Sequence, residues 1–207
     1  MRNSIRWFTL GLLLVGAATA LGDSGGPLES LTGAPGEGLC TDCHASNPLN
    51  TSGSIDLTSA PAYYKGGSTY TMTVHLVSGQ TAGASGRKWG FQVTAINNAG
   101  AGIGTFATVA GQGTQIVAGQ GSLATRRYVE QNDQGTRTGL ASPTDWQIKW
   151  TAPPAGSGPV TFYLAGNAAN GDGSEGGDWI YKGSYAMGDS ATAAVPSTWG
   201  AVKASYR

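Results

Sequence analysis

The chain has 207 residues, of which 34 are glycine, and only 12% carry a charge. Glycine at more than twice its usual share of about 7%, with no three-residue period, excludes collagen and favours many turns between short strands. Twelve basic and twelve acidic residues balance to zero without a basic block, so nucleic-acid binding has no electrostatic basis. The length is that of one domain.

Residues 1–20 have the pattern of an export signal. Arg2 and Arg6 precede an apolar run that starts at Trp7, and Ala18-Thr19-Ala20 offers a small-residue cleavage site. The run is short for a membrane span, so we expect no stable span after cleavage. The protein is predicted to be exported to the periplasm, the cell surface or the medium. The alternative is an uncleaved N-terminal anchor.

The two cysteines carry the most specific signal in the chain. They are Cys40 and Cys43, and His44 follows at once, within a segment over 21–53 that is predicted to be irregular. C-x-x-C-H is the attachment pattern of haem c. Two thiols at this spacing bond to the vinyl groups on one haem edge, and the next imidazole reaches the iron. We therefore predict one covalent haem c, with His44 as its proximal ligand.

Three other interpretations of Cys40 and Cys43 remain open at this point. A disulfide between them would close a very small loop and constrain little of the unfolded chain. A thioredoxin-like redox pair needs a βαβ context, which the sequence does not show. A zinc site needs four ligands, so this motif would require a distant partner.

The second axial ligand of such a haem is not evident. The only other histidine, His75, is the candidate distal ligand, and it lies in the alternating stretch 69–77. The alternation puts His75 on a polar face, where it would be solvated, and Met72 in the core. Met187 is expected to pack rather than to bind iron. A ligand from another chain and an open sixth position are the alternatives.

Short alternating stretches follow the motif at regular intervals, separated by glycine, proline and asparagine. They predict an all-β fold, an antiparallel β-sandwich of about 7–9 short strands over 54–190, followed by a tail over 191–207. The predicted strands cover 54–58, 69–77, 89–96, 103–109, 114–118, 127–131, 146–151 and 159–165.

Two further polar stretches are candidates for binding roles. Residues 167–178 are rich in oxygen ligands, as a calcium site requires, but Glu175 and Tyr181 break the EF-hand frame. We expect a solvated loop there and leave calcium as the alternative. Arg126 and Arg127 are expected to be edge-strand charges, with haem propionates as alternative partners.

Several short motifs together resemble a known family. The resemblance rests on the glycine-rich approach to the C-x-x-C-H motif, on two aromatic strands and on the Asn/Gly block: 32–44, 64–71, 89–92, 150–153, 162–173 and 177–181. In these features the chain resembles the bacterial reelin-like (Reeler-type) exported domain, the choice-of-anchor V family. The resemblance implies an Ig-like β-sandwich that carries an N-terminal C-x-x-C-H segment.

The chain departs from that family in two places. Members often end in an anchoring tail, which is not evident after Trp199, so cell-wall anchoring is not expected. Members also tend to carry His-Thr where this chain has Gln131-Asn132. If that histidine is a distal haem ligand in the relatives, this chain has lost it, and His75 or a partner would have to substitute.

These observations lead to three functional hypotheses. The first is an exported monohaem c-type cytochrome-like protein. It would transfer electrons to a redox partner protein or, by self-assembly, to other copies of itself. The second is a non-enzymatic cell-surface or adhesion module. The third is a haem sensor with an open sixth site. Hydrolase and phosphate-binding motifs are missing from the sequence, so an electron carrier or binding module is expected rather than an enzyme.

Overall fold

The computed structural model describes residues 24–191. The predicted export signal over 1–20 and all but the first residue of the predicted tail lie outside the described residues. Within the described range, no helix is long and apolar enough to cross a membrane.

Ten strands form two sheets, and the only helical elements among residues 24–191 are three short 3₁₀ turns. The strands are β1 Gly53–Thr58, β2 Tyr63–Tyr64, β3 Thr69–Ser78, β4 Lys88–Asn97, β5 Thr105–Thr108, β6 Thr114–Ala118, β7 Arg127–Gln131, β8 Thr144–Thr151, β9 Val160–Ala169 and β10 Trp179–Asp189.

The two sheets confirm the predicted all-β sandwich. A four-stranded sheet has the order β1-β3-β8-β5, and a six-stranded sheet has the order β2-β10-β9-β4-β7-β6. All neighbouring strands are antiparallel except the short pair β2 and β10, which is parallel. The six-stranded sheet is centred on the long pair β4 and β9, and this pair forms the floor beneath the functional site.

The core lies between the sheets and follows the predicted alternation. On β3, Met72, Val74 and Leu76 are fully buried, whereas His75 points to the other side. Alternate residues of a strand face opposite sides of a sheet, so one apolar set faces the core. Aromatic residues then fill the space; the Phe162 ring, for example, packs edge-on against Trp150 with 5.0 Å between centroids.

One long strand, β10, was not predicted, since the last strand that the sequence indicates is 159–165. Its alternation is broken by Gly183 and Gly188. At Gly183 a Cβ atom would lie 2.1 Å from the carbonyl oxygen of Ile55, so glycine allows β10 to approach β1 of the other sheet. Strand β9 likewise runs to Ala169, four residues further than predicted.

Residues 24–44 form an irregular segment that packs on the outer face of the six-stranded sheet. Gln92 points away from the core and holds this segment through its amide. Its Nε2 donates to the carbonyl of Leu28 at 3.0 Å, and its Oε1 accepts from the backbone N–H of Leu31 at 2.9 Å. Nε2 also donates to the buried Glu130 at 2.8 Å. The segment is thus attached by side chains of the sheet and not by a further strand.

A buried ion pair fixes the same segment at a second point. Arg126 and Glu37 are almost completely buried and contact each other through Nη1 and Oε1. Arg126 also donates to the carbonyls of Pro35 and Gly100, and Tyr128 donates its hydroxyl to Glu37 at 2.7 Å. Arg126 is therefore an internal anchor, neither an edge-strand charge nor a group free to pair with propionates, contrary to expectation.

Candidate functional site

The C-x-x-C-H motif is folded into one turn of 3₁₀ helix over Cys40–Asp42. The backbone N–H of His44 donates to the carbonyl of Cys40 at 2.9 Å, and the N–H of Asp42 donates to that of Leu39 at 2.8 Å. This winding turns the side chains of Cys40, Cys43 and His44 toward one cavity, which all three line. The structure therefore brings together the three residues that the sequence singled out.

The cavity has a volume of about 480 Å³ and lies between the N-terminal segment and the outer face of the six-stranded sheet. This volume is in the range of small-molecule and cofactor sites, roughly 300–1,000 Å³. Its lining combines apolar residues of the segment with polar groups, and residues of β4 and β9 form its floor. Besides the motif, the residues that line it include Pro27, Leu28, Leu31, Lys88, Trp89, Phe91, Gln131, Thr136, Asn167, Ala169, Glu175 and Asp178.

His44 contacts a carboxylate at the edge of this cavity. Its Nδ1 lies 2.8 Å from Oδ2 of Asp178, whose side chain is almost completely buried. The two atoms are at ion-pair distance, although the contact lacks the alignment of a linear hydrogen bond. The Asp178 contact raises the pKa of His44, with a smaller contribution from Glu175. A carboxylate at Nδ1 favours a proton on that nitrogen, which makes Nε2 the nitrogen that could bind a metal.

Asp178 is held in place by hydrogen bonds from the stretch 167–178, the candidate calcium site. Its Oδ1 accepts the backbone N–H of Asn170 at 2.9 Å, and its Oδ2 accepts Nδ2 of Asn167 at 3.3 Å. Asn47 donates to its carbonyl at 3.0 Å. Asn167 belongs to β9, so the loop begins only at Asn170 and not at 167. The sequence missed the role of this loop because Asp178 and His44 are far apart along the chain.

A second carboxylate of this loop, that of Asp172, is hydrogen-bonded within the loop. Asp172 accepts hydrogen bonds from Asn170 Nδ2 and from both the backbone N–H and the hydroxyl of Ser174. These bonds lower the pKa of Asp172. Among the described residues, no group of three or more His, Cys, Asp or Glu side chains is arranged to hold a metal ion.

The two thiols are unpaired and differ in environment. Cys43 is exposed, whereas burial raises the pKa of the Cys40 thiol to about 12. The Cys40 Sγ lies 3.8 Å from the carbonyl oxygen of Leu31. A redox-active or nucleophilic cysteine has a lowered pKa and a stable thiolate. The Cys40 environment is therefore unsuited to a thioredoxin-like reaction.

His75, the candidate distal ligand, does not reach the cavity. It lies on the outer face of the four-stranded sheet, where its Nδ1 and Oδ1 of Asp145 are 2.7 Å apart. The cavity lies on the outer face of the other sheet. Packed sheets are about 10 Å apart, so the whole core separates His75 from His44. The assignment of His75 as a distal ligand within its own chain is corrected: it is a surface strand residue.

The glycines before the motif form a tight turn. Gly33 and Gly36 adopt positive φ, and the N–H of Gly33 donates to the carbonyl of Gly38. At the cavity wall, Gly90 on β4 leaves room for the Gln131 amide, because a Cβ atom there would lie 2.9 Å from Nε2 of Gln131.

The residues at the cavity fit the requirements of a covalent haem. Two thiols and an imidazole line the same space, and a carboxylate lies at Nδ1, which would leave Nε2 as the iron ligand. Apolar walls supply the low-polarity surroundings that a porphyrin face needs, and Lys88 provides a cation for a propionate at the rim. Such a group would be held by Cys40, Cys43 and His44.

Comparison with known proteins gives similarity of fold only. No family model matches the chain, and no curated protein matches it. Among solved structures, the human F-spondin reeler domain is 20% identical, with a TM-score of 0.43 over 69% of this chain and 92% of that one. A cohesin module from a Clostridium perfringens family 33 glycoside hydrolase is 14% identical, with a TM-score of 0.44 over 67% and 97%.

A third solved structure, an uncharacterised Nocardia farcinica protein with an immunoglobulin-like fold, is 14% identical, with a TM-score of 0.36 over 66% and 97% of the two chains. A further match is a macrocyclization enzyme of alchivemycin A biosynthesis. A β-sandwich fold alone does not decide between catalysis and binding, because function resides in sites and not in the fold.

Proposed function

We propose that the chain is an exported c-type haem protein, with one haem attached through Cys40 and Cys43 and with His44 as its proximal ligand. The observation that supports this most is the convergence of the two cysteines and the histidine on a single, mostly apolar cavity. A C-x-x-C-H sequence alone is a short motif. Its three chemical groups at the wall of one cofactor-sized space are a much more specific combination.

The surroundings of the imidazole support the same proposal. A metal-bound histidine usually donates its other ring N–H to a carboxylate, carbonyl or water, which fixes the ring. Asp178 lies at that position for His44. The bound group would supply one-electron chemistry or a coordination site, and the protein would orient it between the segment and the sheet.

The test is expression in an export-competent host that carries haem c maturation. The purified protein should keep its haem colour after denaturation and organic extraction, because thioether bonds survive both. C40A and C43A should each reduce covalent haem, and the double variant should have none. H75A is the matched control, since His75 lies on the opposite sheet and should leave the spectrum unchanged. A folded wild-type protein without covalent haem would refute the proposal.

The alternative proposal is a non-enzymatic cell-surface binding module, and one observation favours it. The sandwich core is complete between the two sheets, and the cavity lies outside it, so the fold does not depend on a cofactor. In that case the C40A/C43A double variant would fold and retain its surface partner. This alternative replaces the first proposal if the wild-type protein carries no covalent haem and still binds its surface partner.

A further inference from the structure

The chain has few side chains that could fill the sixth position of a haem iron. Histidine and methionine are the usual axial ligands, and the whole sequence holds two histidines and three methionines. His44 is the proximal ligand in the proposed function, on which this inference rests. His75 lies on the far side of the core, as described above.

The methionines are equally unsuited to this role. Met72 on β3 and Met187 on β10 are fully buried members of the core between the sheets. The cavity lies outside that core, on the outer face of the six-stranded sheet. Met1 belongs to the predicted export signal, which is removed on export. None of these sulfur atoms is therefore a ligand at the cavity of the mature chain.

One polar side chain that lines the cavity carries an amide donor. Gln131, the last residue of β7, is buried, and its Oε1 accepts the backbone N–H of Phe91 at 2.7 Å. This bond orients the amide and leaves its Nε2 over Gly90, where a Cβ atom would lie only 2.9 Å from that nitrogen. Gln131 and Gly90 both line the cavity. The wall thus presents an amide N–H that cannot itself bind iron.

We propose that the haem of this protein is five-coordinate and that its open face takes a diatomic gas such as CO, NO or O₂. The Gln131 amide donates a hydrogen bond to the ligand. Polarity and hydrogen-bond donors of the distal pocket decide whether a haem binds such ligands or only transfers electrons. A protein built in this way is a gas-binding haem protein outside the cytoplasm and not a simple electron carrier.

The first experiment uses the mature wild-type holoprotein. Its ferrous spectrum should be that of a high-spin, five-coordinate haem, and CO should bind stoichiometrically at neutral pH. A low-spin spectrum that does not respond to CO would overturn the inference while leaving the covalent haem, and hence the proposed function, intact. Absence of covalent haem would instead refute the proposed function. The two failures are therefore distinguishable.

A low-spin result would be traced to its ligand. Lys88 lines the cavity, and its Nζ lies 2.6 Å from Oγ of Ser24. A change to high spin in K88A would identify lysine as the sixth ligand and overturn the inference. A low-spin signal that disappears on dilution would identify a side chain of a second copy, with the same consequence.

The second experiment tests Gln131 directly. Q131L should raise the C–O stretching frequency of the CO complex, and it should speed ligand dissociation about 2- to 10-fold, the equivalent of one hydrogen bond. Q131H should convert the high-spin haem to a low-spin one, because an imidazole at this wall can bind the iron. The control is Q147L, at an exposed position on β8. If Q131L and Q147L behave alike in a folded, CO-binding protein, the role of Gln131 is refuted.

Discussion

Nδ1 of His44 lies 2.8 Å from Oδ2 of Asp178, which immediately precedes the last strand of the sandwich. This contact joins the N-terminal motif to the loop between β9 and β10. The carboxylate makes the imidazole a stronger electron donor and so stabilises the ferric iron of the proposed haem.

D178N should therefore raise the reduction potential of the holoprotein. Loss of such a partner costs about 10- to 100-fold in metal binding, so the shift has an upper bound of roughly 60–120 mV, reached when the whole effect falls on the ferric state. Potentiometric titration measures the shift. D172N is the control, since Asp172 lies in the same loop and is bonded to Asn170 and Ser174. Equal shifts in both variants would mean that loop charge, and not the His44 contact, sets the potential.

The attachment of residues 24–44 to the sheet depends on Gln92. Q92L removes hydrogen bonds to Leu28, Leu31 and Glu130, so the free energy of unfolding should fall by about 2–3 kcal/mol, at about 1 kcal/mol per bond. Urea denaturation measures this change. Q147L on the other sheet is exposed and should change stability by less than about 0.5 kcal/mol. A stability loss of the same size in both would contradict the attachment described here.

The buried ion pair of Glu37 and Arg126 gives a second stability prediction. E37A leaves the Arg126 guanidinium buried without its countercharge, which should cost about 3–5 kcal/mol. The double variant E37L/R126M removes both charges and should recover most of that loss. Thermal and urea unfolding of the three proteins form the test. If the double variant is no more stable than E37A, the loss comes from packing and not from an uncompensated charge.

The haem-free protein should show unequal cysteine reactivity. Cys43 is exposed, whereas burial raises the pKa of Cys40 to about 12. Iodoacetamide at pH 8 should therefore label Cys43 faster than Cys40, and unfolding should remove the difference, as peptide mapping would show. Between pH 9 and pH 12 the folded chain keeps a Cys40 proton that the unfolded chain releases, so stability should fall as pH rises. C40A should lose this part of the pH dependence; equal labelling of both thiols would refute the burial.

Gly183 tests how closely the two sheets approach each other. A methyl group there would meet the carbonyl oxygen of Ile55 at 2.1 Å, so G183A should destabilise the fold by about 1–3 kcal/mol. G176A is the matched change at an open loop position, where the nearest atom would be 3.5 Å away. Comparable midpoints of urea unfolding for the two variants would show that β10 can move away from β1.

Much of the fold could be predicted from local patterns. The alternation in β3 assigns Met72 to the core and His75 to the surface, because strand periodicity alone decides the face. Strand β10 could not be predicted in this way, because Gly183 and Gly188 interrupt its alternation. Glycine is needed at both positions because of contacts with other strands of the folded chain. Both glycines lie where another strand approaches closely, and a sequence does not show which strand that is.

The residues of the candidate site also fall into two groups, those that local sequence predicts and those that depend on the fold. Cys40, Cys43 and His44 are adjacent in sequence, so their shared chemistry can be recognised before folding. Asp178 and Gln131 reach the cavity only because β9, β10 and β7 lie in one sheet beneath the segment. The oxygen-rich stretch 167–178, which the sequence singles out for calcium, supplies several residues of the cavity wall, including Asn167 and Asp178.

The placement of the cavity outside the sandwich core has a consequence for the order of biogenesis. The core cluster between the sheets contains no residue of 24–44, and this segment is held on the sheet by side-chain contacts such as those of Gln92. In the proposed function, haem ligation would therefore require only this segment, and not the sandwich, to be accessible to the attachment machinery. Docking of the loaded segment would then shelter the porphyrin.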